Sequence, residues 1–268
     1  MKNKVVIITG GSSGIGRACA KVFAQHGAKV IITGRNEQNL LETIDTFKKD
    51  GLEILSFVSD VSIEDDNRKM AEWAVQQFGQ IDVLINNAGI SMRAMFSEVD
   101  LSVIKRVMDI NFYGTVYATK YCLPEIIKNK GHLVGISSIA GYRGLPARTG
   151  YSASKFAMMG FLESLRTELL KTGVHVLVAC PGFTSSNIRN TALQANGTSQ
   201  SESPIDESKI MSAEEVATLI YKATVDRKRS LVLTTQGNLT VWLNKLFPKL
   251  MDTMVYNHFK KEPNSPLK

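Results

Sequence analysis

Short runs of β-branched and other apolar residues alternate along this chain with stretches in which apolar positions recur every three to four residues. Val5–Ile8, Val30–Thr33, Ile54–Val58, Val83–Ile85, Leu133–Ile136 and Val174–Ala179 are the runs. Each is nearly continuous in apolar character, as strands are when both faces of their sheet are covered. Between them the spacing predicts helices up to Gln25, around Leu40–Phe47 and Met70–Phe78, over Lys105–Ile127 and over Tyr151–Leu170. Strands separated by helices in this order imply right-handed crossovers. The pattern therefore predicts an α/β fold, a doubly wound parallel sheet with helices on both faces.

Past Pro181 the alternation stops. Thr184–Ser208 is rich in Ser, Thr and Asn and lies beyond a strand's carboxyl end, where a doubly wound sheet binds ligands, so residues 183–212 are expected to form a substrate lid. Farther on, Leu239, Leu243, Leu246, Leu250 and Met254 fall close to helical spacing, and Pro248 is placed to open a second helix. Lys245, Lys249, Lys260 and Lys261 decorate the same stretch. Residues 1–235 thus read as one catalytic domain and 236–268 as a basic, amphipathic helical extension, in a chain whose 268 residues and 44% apolar content suit a single core. The extension reads as a flap or subunit contact, or as a peripheral contact with an anionic membrane.

Charge alters this picture little. Of a formal +7, the stretch from Arg227 onward carries eight Lys or Arg against Asp252 and Glu262, so the body is nearly neutral and no nucleic-acid partner is expected. Cys19, Cys122 and Cys180 lack the paired spacing of a zinc or redox motif; no metal site is expected, and they read as buried thiols of a reducing compartment. No run is long enough for a membrane span, which makes the cytoplasm the expected location.

The chemistry begins directly after the first run, at Thr9-Gly10-Gly11-Ser12-Ser13-Gly14-Ile15-Gly16. Gly10, Gly14 and Gly16 let the backbone turn sharply and approach a pyrophosphate, to which the following helix presents its leading N–H groups in a Rossmann-type arrangement. Asp60-Val61, Asn86-Asn87-Ala88-Gly89, Asn111, Ser138, Tyr151-Ser152-Ala153-Ser154-Lys155 and Pro181-Gly182 follow in order. With the T-G-x-x-x-G-x-G spacing of the glycine turn, this set resembles the short-chain dehydrogenase/reductase family from about Lys4 to Leu233. The resemblance implies a nicotinamide-dependent oxidoreductase acting on a carbonyl or secondary alcohol. It assigns Gly10, Ser12, Ser13, Gly14, Ile15 and Gly16 to the pyrophosphate, Asp60 with Val61 to the adenine, and Asn87, Ala88 and Gly89 to the adenosine ribose. Pro181, Gly182 and a hydroxyl from Thr184, Ser185 or Ser186 would hold the carboxamide.

At the end of the second strand, where an NAD enzyme carries an acid, this chain has Thr33-Gly34-Arg35. An acid would repel the extra phosphate of NADP, whereas a guanidinium pairs with it at two points, so NADP(H) is expected over NAD(H). Tyr151 and Lys155 stand four residues apart at the start of a predicted helix, on one face. An ammonium roughly 4 Å from the phenol, at an effective dielectric near 20, stabilises phenolate by about 4 kcal/mol and brings its pKa from near 10 to around 7. By resemblance, Tyr151 exchanges a proton with the substrate oxygen, Ser138 hydrogen-bonds that oxygen, Lys155 also holds the nicotinamide ribose, and Asn111 positions a water linking Lys155 to solvent.

The whole-chain pattern, including Asn87–Ser91 and the tail, is similar to the subgroup containing hydroxysteroid dehydrogenases and dehydrogenase/reductase member 7 proteins. That similarity implies a bulky apolar, lipid-like or steroid-like ketone, while the wider family implies a homodimer or homotetramer. Met92, Met95, Phe96, Tyr142, Leu145 and Phe183 are candidate walls for such a pocket, or ordinary core. A reductase of a small polar ketone and a non-catalytic NADP-sensing protein are the alternatives; the latter has no need of Asn111, Ser138, Tyr151 and Lys155 together.

Overall fold

The computed structural model describes residues 1–182, 184, 188–200 and 210–267. Seven strands form one parallel sheet in the order β3-β2-β1-β4-β5-β6-β7: β1 Val5–Thr9, β2 Lys29–Gly34, β3 Ile54–Val58, β4 Val83–Asn86, β5 His132–Ile136, β6 His175–Cys180 and β7 Ser230–Val232. The chain winds outward to β3 and then crosses to β4 on the other side of β1. This reversal opens a crevice at the carboxyl ends of β1 and β4.

Alternation along β1 divides the interior in two. Val6 and Ile8 join α1 (Gly14–Gln25), α2 (Glu37–Lys49) and α7 (Ala213–Val225) on one face, through Phe23, Leu40 and Ile220 among others. Val5 and Ile7 face α3 (Glu64–Phe78), α5 (Gly114–Lys128) and α6 (Thr149–Glu168), through Met70, Ile126 and Leu162. Fully burying such side chains contributes about 2 kcal/mol each, which explains why the central strands tolerate no polar face.

The expected single helix over Lys105–Ile127 is instead α4 (Leu101–Met108) and α5, joined by a π-helical turn at Asp109–Tyr113 that carries Asn111. One residue inserted into a helical ladder leaves the apolar spacing almost intact, so periodicity does not register it. α7 opens on a reciprocal cap, in which Ser212 Oγ accepts from the Glu215 N–H and the Glu215 carboxylate accepts from the Ser212 N–H. The tail folds as α8 (Thr235–Leu246) and α9 (Pro248–Lys260), with Pro248 at the start of α9.

Of the expected lid, residues 183, 185–187 and 201–209 lie outside the described residues. Its central part packs inward: Ala192 and Leu193 are buried, and the Leu193 N–H donates to Ser91 O while its carbonyl accepts from the Arg93 N–H.

Candidate active site

The glycine turn is wedged against the loop after β4. Gly10 sits at φ +64°, and a Cβ there would stand 2.9 Å from Ala88 Cα; one on Gly16 would collide with the Gly10 carbonyl oxygen. Asn87 Nδ2 donates to the carbonyls of Thr9 (2.9 Å) and Gly10 (3.1 Å), and Thr9 Oγ1 accepts from the N–H groups of Asn87 and Ala88. The turn is therefore rigid before any ligand arrives. Ser13 stands at the N-cap of α1 without a side-chain capping bond, ahead of Gly14, Ile15 and Gly16, where leading N–H groups suit an anion.

A cleft of about 530 Å³ runs from this turn past Ser12, Gly34 and Arg35 to Asp60, Val61, Ala88 and Gly89. Gly10, Ser12, Arg35, Asp60, Val61, Ala88 and Gly89, seven of the residues expected around a dinucleotide, thus share one groove whose chemistry fits the adenosine and pyrophosphate part of one. Arg35 is about half exposed at its rim, 3.8 Å from Asp60, whose other oxygen accepts from Ser62 N–H and Oγ.

Beside Gly89, at one end of the groove, stand Asn111 and Lys155, two of the four candidate catalytic residues; Ser138 and Tyr151 line a neighbouring cavity. Ser138 caps a short 3-10 turn, with its Oγ accepting from the Ala140 N–H. Lys155 is buried and donates to the Ile136 carbonyl at 2.8 Å, while a Cβ on Gly89 would lie 3.6 Å from its Nζ. Asn111 commits both amide hydrogens, one to Ile90 O and one to Ser154 Oγ (2.9 Å each), and its Oδ1 accepts from the Ile90 N–H at 2.8 Å. Its side chain thus braces the β4 loop against the residue preceding Lys155.

The expected acidification of Tyr151 by Lys155 is not what this geometry gives. Burial pushes the Tyr151 phenol up from its ordinary value, and the Ser138 side chain and the charges of Arg148 and Arg189 pull only partly the other way. Lys155 Nζ is 5.8 Å from the Tyr151 ring centroid and turned to a carbonyl, and burial pushes it down to about 8. Spacing along a helix set the two side chains on one face, but the ammonium is turned to the Ile136 carbonyl and desolvation dominates at the phenol.

Residues 4–197 match the short chain dehydrogenase family. The chain belongs to that family. Dehydrogenase/reductase SDR family member 7B of Mus musculus is 36% identical over 99% of this chain and 84% of its own length. An uncharacterized oxidoreductase of Bacillus subtilis (strain 168), YxnA, is 32% identical over 99% of this chain and 76% of its own. Among solved structures, a short chain dehydrogenase/reductase from Burkholderia phymatum in complex with NAD superposes with a TM-score of 0.83 at 26% identity, covering 93% of this chain and 95% of that one. The chain is thus an oxidoreductase of the short-chain dehydrogenase family.

Ser138 and Tyr151 line a second cavity of this dehydrogenase, of about 340 Å³. Ile139 and Leu145 form part of its wall, Ile188 and Arg189 another part, and Met251, Met254, Val255 and Phe259 of α9 cover it. Of the candidate wall residues that are described, only Leu145 lines it. Met92 is fully buried with Val99 and Val103, Tyr142 packs against the sheet core, Phe96 is 64% exposed, and Phe183 lies outside the described residues. Met95 is also absent from the wall. Gly182 reaches the cavity, Pro181 O accepts from the Ile139 N–H, and Thr184 Oγ1 donates to Gly182 O at 3.4 Å; Ser185 and Ser186 lie outside the described residues. Sequence reading missed Arg148 as part of this site, and gave the tail that holds α9 as a flap only among other roles. The only signal was the apolar stripe of the tail, which does not say what it covers.

Proposed function

We propose that this oxidoreductase transfers hydride between NADP(H) and a bulky apolar ketone or secondary alcohol, with Tyr151 exchanging the proton. The observation that carries the reading is the meeting of Ser138 and Tyr151 in one largely apolar cavity that adjoins Lys155 and the Gly89 end of the dinucleotide cleft. A carbonyl oxygen there would accept from both hydroxyls. A phenol kept protonated by burial is suited to act as the acid in the reductive direction. When bound, the nicotinamide supplies or takes the hydride. Lys155 would hold its ribose, Asn111 would keep the β4 loop in place, and Arg35 would pair with the 2′-phosphate of NADP. The Burkholderia structure holds NAD, whereas a Thermococcus sibiricus alcohol dehydrogenase that shares the fold (TM-score 0.74, 21% identity, covering 86% of this chain and 94% of that one) holds 5-hydroxy-NADP, so Arg35 carries the preference. The test is oxidation of NADPH against NADH over long-chain aliphatic, steroid and small polar ketones. Turnover confined to small polar ketones, or to NADH, would overturn the reading.

We further propose that α8 and α9 rest on an anionic membrane surface. Leu239, Trp242, Leu246, Phe247, Leu250 and Met254 are each about half exposed, and Lys245 and Lys249 lie among them. Met254 also lines the substrate cavity, so an apolar ketone would enter from the lipid side. Among the described residues no helix is long and apolar enough to cross a membrane. Buried, unpaired Cys19, Cys122 and Cys180, their thiols pushed up to about 12 by burial, suit the reducing cytoplasm. A homodimer or homotetramer is proposed on the family resemblance. Vesicles containing phosphatidylserine should sediment the protein and blue-shift Trp242 emission, and a Trp242→Ser/Leu246→Ser variant should lose both effects. If instead that variant halves the mass in solution without altering sedimentation, the face is a subunit contact.

A further inference from the structure

Arg93 and Arg148 converge on one carboxylate from the far end of the chain. Arg93 lies three residues past Ile90, the loop position braced by Asn111, and Arg148 is the residue on which α6 opens, three before Tyr151. Glu262, beyond α9, accepts from Arg148 Nη2 at 3.2 and 3.3 Å and from Arg93 Nη2 at 3.3 Å. All three side chains are a tenth exposed or less. The tail around Glu262 is tied to the same two arginines: Arg93 Nη2 also donates to Pro263 O at 2.8 Å, and the Arg148 guanidinium stands 4.6 Å over the Phe259 ring. Below the carboxylate, the Ala94 N–H donates to the carbonyl of Ala147, a residue held at φ +58°. Alanine occupies that region only where its surroundings impose it.

A buried carboxylate shared by two arginines is a poor way to gain stability over an apolar contact. Its position is more informative, because it touches the β4 loop, the start of the catalytic helix and the cover of the substrate cavity at once. We propose that Glu262 is a positioning residue for the reaction: by bridging Arg93 and Arg148 it couples closure of α8 and α9 over the cavity to the setting of Tyr151. The inference rests on Tyr151 as the proton-exchanging group. Around that phenol stand Arg148 and Lys155 from α6, Ser138 after β5, Cys180 at the end of β6 and Arg189 beyond it, with His258 of α9 lining the same cavity. Arg148 favours the phenolate, and Glu262, which holds Arg148 charged against its burial, sets a negative charge of its own 3.2 Å from that guanidinium.

Two measurements on the full-length protein test the coupling. One is ultraviolet titration of the Tyr151 phenol with saturating NADP⁺, isolated by subtracting the Tyr151→Phe curve; the other is hydrogen exchange of the α8 and α9 amides. Glu262→Gln keeps the shape and removes the charge, so the phenol midpoint should fall by about half a pH unit or more, and exchange in α8 and α9 should rise roughly tenfold or more. Arg93→Leu removes a cation instead and should raise the midpoint, which keeps the experiment decisive if the Gln variant fails to fold. Glu262→Asp should restore most of both readouts. Faster exchange with an unmoved midpoint would make Glu262 a tail anchor only, and a moved midpoint with unaltered exchange would remove the coupling; either overturns the proposal. Full turnover by Tyr151→Phe would sink the functional reading separately, because neither measurement uses turnover.

Discussion

At Tyr151 burial and charge oppose each other, and burial wins: the phenol is pushed up although Arg148 and Arg189 lie near enough to favour its ionised form. Removing the hydroxyl leaves a ring that packs equally well, so Tyr151→Phe should lower kcat by about 10²- to 10⁴-fold, the usual worth of a general acid, with NADPH affinity within about twofold. Stopped-flow binding and steady-state turnover separate the two effects. Arg35 offers a second single-residue prediction. Its contact with Asp60 is long and half exposed, hence weak, and leaves most of its hydrogen-bonding capacity for a phosphate. Arg35→Asp should weaken NADPH binding roughly tenfold to a hundredfold while sparing NADH, as titration of both coenzymes would read.

Among the elements, α8 and α9 stand apart energetically. Met251, Val255 and Phe259 form a small cluster with Leu145, Leu243 and Leu267, separate from the two cores that sandwich the sheet. Truncation after Thr234 should therefore leave cooperative unfolding of the sheet within a few degrees of the full chain. The same truncation should raise KM for long-chain ketones about tenfold or more, since each 1.4 kcal/mol of lost apolar cover is a factor of ten. Melting curves and KM values on one truncated protein decide both points. The π-helical turn at Asp109–Tyr113 belongs to this scale too: it turns Asn111 inward to satisfy the Ile90 backbone on both sides, which a regular helix through the same residues would not do.

Across the whole molecule, the edge of the sheet opposite the active site carries a pH-sensitive pair. His132 and His175 face each other in register at the starts of β5 and β6, with their Nδ1 atoms 3.1 Å apart, and His175 Nε2 contacts Lys228 O. If His175 donates from Nε2 to that carbonyl, its Nδ1 accepts from His132; a proton on His175 would then break the pair, whereas a proton on His132 would go to Nε2, where burial opposes the charge. Burial, with a lesser part from His175, pushes His132 down to about 4, and burial lowers His175 as well. In the unfolded chain both titrate near 6.5, so the unfolded state binds more protons between these values. Stability should be full above about pH 6.5 and fall as pH drops toward 4, by on the order of 3 kcal/mol for His132. Urea unfolding at pH 7 and pH 4.5 checks this, and His132→Gln should flatten the difference. In the amino-acid sequence alone, six of the seven strands, the glycine turn and the Tyr151–Lys155 pair are already legible, because each is written in contiguous residues whose spacing dictates their geometry. α7 and β7 went unread beyond the polar stretch after Pro181, and the π turn was hidden within a regular period. The substrate cavity, the protonation of Tyr151 and the Arg93–Glu262–Arg148 bridge were decided by tertiary structure only. The cavity and the bridge depend on groups more than a hundred residues apart, and the phenol on how much water packing removes from it; neither leaves a periodic trace along the chain.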